Sequence, residues 1–234
     1  MGTKYANVRR PTSMMYSPLR RIELSTRSLA LVMAFCCHCR MISATTITNS
    51  DAVELTAAVR AGGTITLAFD GVAKLTVPLI IATNTILDAQ GHTIFLDGDN
   101  LVRHFVVTNN STLRLINLTL MNGRDADNNG PVDQDGRPGW GGAIYCSGGN
   151  LELIDCQFTD NHVVGGSATV SNQATNTIHY GGGGYGGAIY CENGGLWATN
   201  SLFANNSSTG GQGARWDSRY SVTIFILTNV KNIR

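Results

Sequence analysis

The sequence predicts an all-β chain wound as a parallel β-helix, a solenoid of short strands preceded by a short N-terminal capping helix. Three observations carry that expectation. Residues 140–161 and 185–206 align without a gap at an offset of 45, laying Gly141-Gly142-Ala143-Ile144-Tyr145-Cys146 over Gly186-Gly187-Ala188-Ile189-Tyr190-Cys191. Repetition at such a period speaks of architecture before chemistry. From Thr64 onward, apolar runs of three to five residues alternate with Gly, Asn and Asp, whereas a sandwich needs longer strands and Asn-Gly hairpins. Residues 113–120, 151–158 and 196–203 also superpose. Period-two alternation sends Leu113, Leu151 and Leu196 inward, followed by Leu115, Leu153 and Ala198, and leaves Arg114, Glu152 and Trp197 facing solvent.

Composition narrows the function classes. The 234 residues carry 14% charged side chains and a net charge of +1, which supplies no pull toward nucleic acid or anionic lipid. The 27 glycines follow no three-residue period, so they mark tight bends and not collagen. A hydrophobic content of 43% is that of a globular protein.

Taken in order, residues 1–44 are a basic lead (Lys4, Arg9, Arg10, Arg20, Arg21, Arg27), an apolar run over 28–37 and small residues at Ser43-Ala44. That is the pattern of a secretory signal peptide cleaved after Ala44, with Met14 or Met15 as alternative starts. The other reading is a tail followed by a buried strand. The run is too short to span a bilayer as a helix. Cys36, Cys37 and Cys39 leave with the signal. Asn49-Ser50-Asp51, apolar Val53, Leu55, Ala58 and Val59, and Gly62-Gly63 then describe one helix of three turns at most, suited to covering the first open sheet edge. Strands are expected over 65–69, 75–77, 79–81, 85–87, 93–96, 105–107, 113–115 and 118–120. Asn117, Asp155 and Asn200 share one column where the chain must turn sharply. Asn and Asp tolerate the left-handed backbone best after glycine, so the three are structural bends.

The GGAI and F-x-x-N signatures (141–144 with 158–161; 186–189 with 203–206) resemble the repeats of the chlamydial polymorphic outer membrane proteins. Residues 64–123 resemble the pectin-lyase-like β-helix superfamily more broadly, and the likeness covers roughly 46–214. It implies a right-handed, single-stranded β-helix acting as a surface-displayed passenger linked to adhesion. In that family a transmembrane barrel follows; here no membrane-spanning segment is expected in the mature chain. The resulting domains are 1–44 lead and signal peptide, 45–214 parallel β-helix, and 215–234 a divergent tail that reads as a truncated repeat.

Cys146 and Cys191 hold the same repeat position and face inward. If each 45-residue unit is one coil, their Cα atoms lie one strand spacing apart, roughly 4.8 Å, within disulfide reach. If the unit holds two coils, a bridge is excluded. Buried free thiols are the expectation for Cys146, Cys156 and Cys191.

Two insertions break the rhythm. Residues 124–138 contain Asp125, Asp127 and Asn129 in the spacing of half an EF-hand, but Gly136 stands at the twelfth position. A solvated turn is expected, with weak calcium binding the alternative and no other cofactor. Residues 162–185 are rich in Gly, Ser, Asn and Thr. Trp140, Tyr180 and Tyr185 border these loops, where they either pack over the bends or stack on sugar rings. Asn109, Asn110, Asn117, Asn205 and Asn206 lie in N-x-Ser/Thr sequons.

Glycoside hydrolysis needs two carboxylates roughly 5–9.5 Å apart on one face. The outward columns are Arg114, Glu152, Trp197 and Thr119, Gln157, Leu202. Asp88 with Gly91-His92, and Asp97 with Asp99, match only fragments of a polygalacturonase-like site, so no catalytic residues are assigned. After Gly210-Gly211-Gln212-Gly213-Ala214 the repeat stops at Arg215-Trp216-Asp217, and residues 222–227 (Val-Thr-Ile-Phe-Ile-Leu) are β-prone and uncharged. This reads as a shortened product of a longer repeat protein. The expected function is a secreted or cell-surface (outer membrane or extracellular), non-catalytic display or adhesion module. Its partners would be host or neighbouring-cell surface molecules or polysaccharide. A polysaccharide-binding or polysaccharide-cleaving domain, or a non-functional fragment, are the alternatives.

Overall fold

A computed structural model describes residues 44–126, 129–170 and 178–214. Among the described residues the fold is all-β apart from one helix, and every strand of its sheets runs parallel to its neighbours. The first sheet has six strands: Ala44–Ile47, Gly63–Leu67, Thr85–Asp88, Thr112–Ile116, Asn150–Ile154 and Gly195–Thr199. The second has five: Gly71–Lys74, Ile94–Asp97, Thr119–Met121, Gln157–Thr159 and Leu202–Ala204. The third has four: Leu79–Ile81, Phe105–Val107, Ile144–Ser147 and Ile189–Glu192. From Gly63 the chain visits the three sheets in the same cyclic order, and each complete pass adds one strand to each. Among the described residues no helix is long and apolar enough to cross a membrane.

Register follows the repeat. Leu113, Leu151 and Leu196 are successive partners, as are Cys146 and Cys191, so one 45-residue unit makes one pass. Alternation buries Leu113, Leu115, Leu151 and Leu153 between the sheets, with Phe105 and Phe158. Asn117, Asp155 and Asn200 adopt φ of 56°, 54° and 49°, and the Asn200 amide donates to the Asp155 carboxylate above the turn.

Some expectations need correction. Ala44–Ile47, a strand not expected from sequence, is the edge strand of the first sheet, with Ile47 fully buried. The helix, Ala52–Ala61, is capped by Asp51 accepting from Val53 N at 2.7 Å and stopped by Gly62 at φ 73°. It packs on Leu79–Ile81 at the end of the third sheet through Leu55, Ala58 and Val59. Val53 faces solvent. The second-sheet strand is Gly71–Lys74, not 75–77; Leu75 is still buried, but Val77 is exposed. The reading of residues 1–43 and 215–234 falls outside the described residues.

The F-x-x-N asparagines form a buried ladder. Asn161 accepts from Gly123 N at 2.8 Å and donates to Leu120 O at 3.2 Å and to Asn206 Oδ1 at 2.9 Å. Asn206 takes the same role one pass later, donating to Phe158 O at 2.9 Å. Gly123 is the register equivalent of these asparagines. A Cβ there would stand 2.8 Å from His104 Cε1, so His104 occupies the space an asparagine side chain would need. His104 Nε2 reaches Leu96 O at 2.9 Å, the register counterpart of Leu120 and Phe158. The GGAI corner meets this ladder: Gly141 is left-handed at φ 60°, and a Cβ on Gly142 would come within 2.7 Å of the His162 backbone.

His104 makes the fold pH-sensitive. Its ring is fully buried, Nε2 lies near the carbonyls of Leu96 and Met121, and Nδ1 has no partner. Burial, opposed by those carbonyls, pushes its pKa down to about 4, against roughly 6.5 in the unfolded chain. The unfolded state therefore binds more protons between these values. The contribution is complete above the unfolded pKa and falls away as pH drops from 6.5 toward 4, by roughly 3 kcal/mol in all. Thermal melts at pH 7 and 4.5 should show this decline, and His104→Asn should flatten it.

Candidate functional site

The chemistry-bearing side chains gather beside the third sheet, where the insertions that follow the second sheet run into it. Gly139–Trp140 pairs with Gly184–Tyr185, placing Trp140 opposite Tyr185, and Tyr145 lies opposite Tyr190. The rings form one cluster: Trp140 to Tyr145 at 5.8 Å and 19°, Tyr145 to Tyr190 at 6.1 Å and 20°, and Tyr185 to Tyr190 at 6.1 Å and 46°. Cross-strand aromatic pairs of this kind stabilise a sheet. Arg103 lies over Tyr145 at 5.4 Å from the ring centre, within cation–π range. Glu192 accepts from Tyr145 Oη at 2.8 Å and from Ser147 Oγ at 3.0 Å. Burial, reinforced by the Glu192 hydrogen bond, pushes the Tyr145 phenol up.

Sequence reasoning found Trp140 and Tyr185 but missed Tyr145, Tyr190 and Arg103. The Tyr-Cys step after GGAI sits in both repeat copies, and its outward tyrosine was the available signal. Tyr180 is 66% exposed and stands apart from the ring cluster. Its N–H donates to Asp135 Oδ1 at 2.9 Å. A sugar needs an open ring face. Trp140 and Tyr145 spend theirs largely on each other and on Arg103, while Tyr185 keeps 47% of its surface open.

The half EF-hand is differently employed. Asp125 Oδ2 contacts Arg103 Nη2 at 2.6 Å and accepts from Trp140 N at 2.7 Å; Arg103 also donates to Trp140 O at 2.7 Å. Asn129 Oδ1 accepts from Ser167 N at 2.8 Å. Asp127 lies outside the described residues. Among the described residues no group of three His, Cys, Asp or Glu is placed to hold a metal ion. The insertions are not separate loops but stacked layers, with Arg124 and Asp125 opposite His162 and Val163, Gly166 beneath Gly211 and Asp135 beneath Tyr180. Close backbone approach explains their glycines: a Cβ on Gly136 would stand 1.8 Å from Gly166 O.

The other candidate acids serve turns and ion pairs. Asp88 Oδ1 accepts from Gln90 N at 2.8 Å, and Asp97 Oδ1 from Asp99 N at 2.8 Å. Asp99 pairs with Lys74 at 2.8 Å, and Arg114 faces Glu152 at 3.6 Å. The sequon residue Asn206 is buried, with its amide nitrogen on Phe158 O, so the folded state closes it to glycosylation. Cys146, Cys156 and Cys191 are free thiols. Burial, then the neighbouring Cys146, pushes Cys191 up to about 12.

Asp125 should thus act as a structural anchor. Asp125→Asn strips the partly buried Arg103 of its counter-charge and should lower stability by roughly 2 kcal/mol in urea unfolding. Millimolar calcium should leave the wild-type transition in place; a calcium-dependent rise would assign the carboxylate to a metal instead.

Compared with known proteins, the chain matches no family model, no curated protein and no solved structure.

Proposed function

We propose that the chain is a right-handed, single-stranded parallel β-helix, secreted or held at a cell surface, that works as a non-catalytic display or adhesion module. The observation that carries this reading is the contrast between inward and outward positions in the same register. The inward column holds Leu113, Leu151 and the corresponding Leu196, while the adjacent outward column holds Arg114, Glu152 and Trp197. The repeat fixes what the stack needs and leaves the outer surface free to vary, as a presenting scaffold requires. The resemblance of the GGAI and F-x-x-N motifs to surface-displayed passengers points the same way, as does the signal-like lead.

A polysaccharide-binding role is the second reading, favoured by the aromatic cluster of Trp140, Tyr145, Tyr190 and Tyr185 beside Arg103. The two separate in one pair of assays on purified chain, a glycan array and saturation binding to intact cells. The adhesion reading expects saturable cell binding with a silent array. Array signal that disappears in Tyr185→Ala would establish the carbohydrate reading, and release of unsaturated or reducing ends from polygalacturonate would overturn both.

A further inference from the structure

The three cysteines of the described residues are placed unequally. Cys156 has Leu118 beneath it and Ser201 above, and its Sγ lies 3.4 Å from Leu115 O and 3.3 Å from Ile154 O. Cys146 and Cys191, in contrast, are direct register partners on the neighbouring parallel strands Ile144–Ser147 and Ile189–Glu192. They continue the inward column of Ile81 and Val107. Register partners on adjacent strands have Cα atoms roughly 4.8 Å apart, inside the roughly 4.4–6.8 Å window of a disulfide. Both side chains leave the same face of one sheet, so their Cα–Cβ bonds run side by side and do not diverge. Both thiols also sit by the turn into the first sheet. A Cβ on Gly149 would stand 3.5 Å from Cys146 Sγ, and Cys191 Sγ lies 3.9 Å from Gly195 O. The two groups feel each other, since Cys146 follows burial as a cause of the raised pKa of Cys191.

We propose that Cys146 and Cys191 are a disulfide-forming pair that, under oxidising conditions, fastens two successive passes of the stack from the inside. Cys146 is closed off and Cys191 is partly exposed, so Cys191 meets the oxidant first. With a small-molecule disulfide as oxidant, the Cys191 thiolate attacks one of its sulfurs and expels the other, leaving a mixed disulfide. The Cys146 thiolate then attacks the Cys191 sulfur and expels the second small thiolate. Two protein thiols become one disulfide, the small disulfide becomes two thiols, and both protons pass to the released thiolates. Cβ atoms at strand spacing draw slightly together to reach roughly 3.5–4.5 Å, and such strain keeps the bond reducible. The same two strands present Tyr145 and Tyr190 outward, stacked at 6.1 Å, with Glu192 accepting from Tyr145 and Ser147. The bond thus pins the strand pair beneath the aromatic cluster. It rests on the parallel stack and not on the display reading, so either can fail alone.

The test equilibrates the folded full chain with oxidised and reduced glutathione, and in a second arm refolds it from urea in the same buffer. Free thiols are then blocked and the peptides mapped without reduction. The peptide linking Cys146 to Cys191 should exceed every other linkage by at least about tenfold, because the stack holds the partner thiol at high effective concentration. Cys156 should stay unlinked, and dithiothreitol should return both thiols of the pair. A bond that forms only in the refolding arm also supports the proposal, with oxidation preceding closure of the core. Free thiols at both positions in both arms overturn it. So does a mixed disulfide that persists on Cys191, or Cys191 joined to any other cysteine.

Discussion

The fold depends on a buried asparagine that binds three consecutive passes at one corner. Asn161 takes a backbone N–H from Gly123 and donates to the Leu120 carbonyl in the pass before, and to Asn206 in the pass after. A parallel stack has few ways to satisfy backbone groups where the chain leaves one sheet for the next, and an unpaired buried group costs about 1–3 kcal/mol. One carboxamide repeated at the same position settles that corner for every pass that carries it. The GGAI motif is the steric counterpart: its second glycine lets the backbone at Gly142 and Gly187 lie against His162 and Ser207. The two motifs recur together because they are halves of one corner. Where the ladder asparagine is replaced by Gly123, His104 from the pass before supplies the missing donor.

That division of labour leaves the outer surface unconstrained. Inward side chains, corner residues and stacked glycines all answer to the register between passes, and the insertions join it, with Arg124 opposite His162 and Trp140 opposite Tyr185. Asp125 shows how a residue with a chemical appearance is absorbed into this scheme: it neutralises Arg103 and seats the Trp140 backbone. The aromatic cluster then stands beside an ion-paired base.

The repeat made much of this legible. Because two copies align without a gap, the partners Leu151 to Leu196 and Cys146 to Cys191 could be written down before any coordinates, and the left-handed Asn117, Asp155 and Asn200 followed from residue type. Apart from Tyr145 and Tyr190, whose repetition went unused, what stayed hidden lacked a second copy. His104 has no repeat counterpart, and its role depends on an empty place at Gly123. Ala44–Ile47 has too few residues to show alternation and sits where a cleavage site was equally readable. Gly71–Lys74 was overlooked because a glycine and a lysine bound it, while the more apolar 75–77 beside it forms no strand. The pairing of Asp125 with Arg103 links residues 22 apart in sequence that no local pattern connects.

The most direct test is the side-chain amide of Asn161, whose protons can be followed individually by NMR after transfer to heavy water. If this group bridges the passes, its exchange should be as slow as that of the buried backbone amides of Phe158 and Leu153, as global opening is required. Exchange at the rate of an exposed asparagine would show that the corner is open, and the account of how the passes are held together would be wrong.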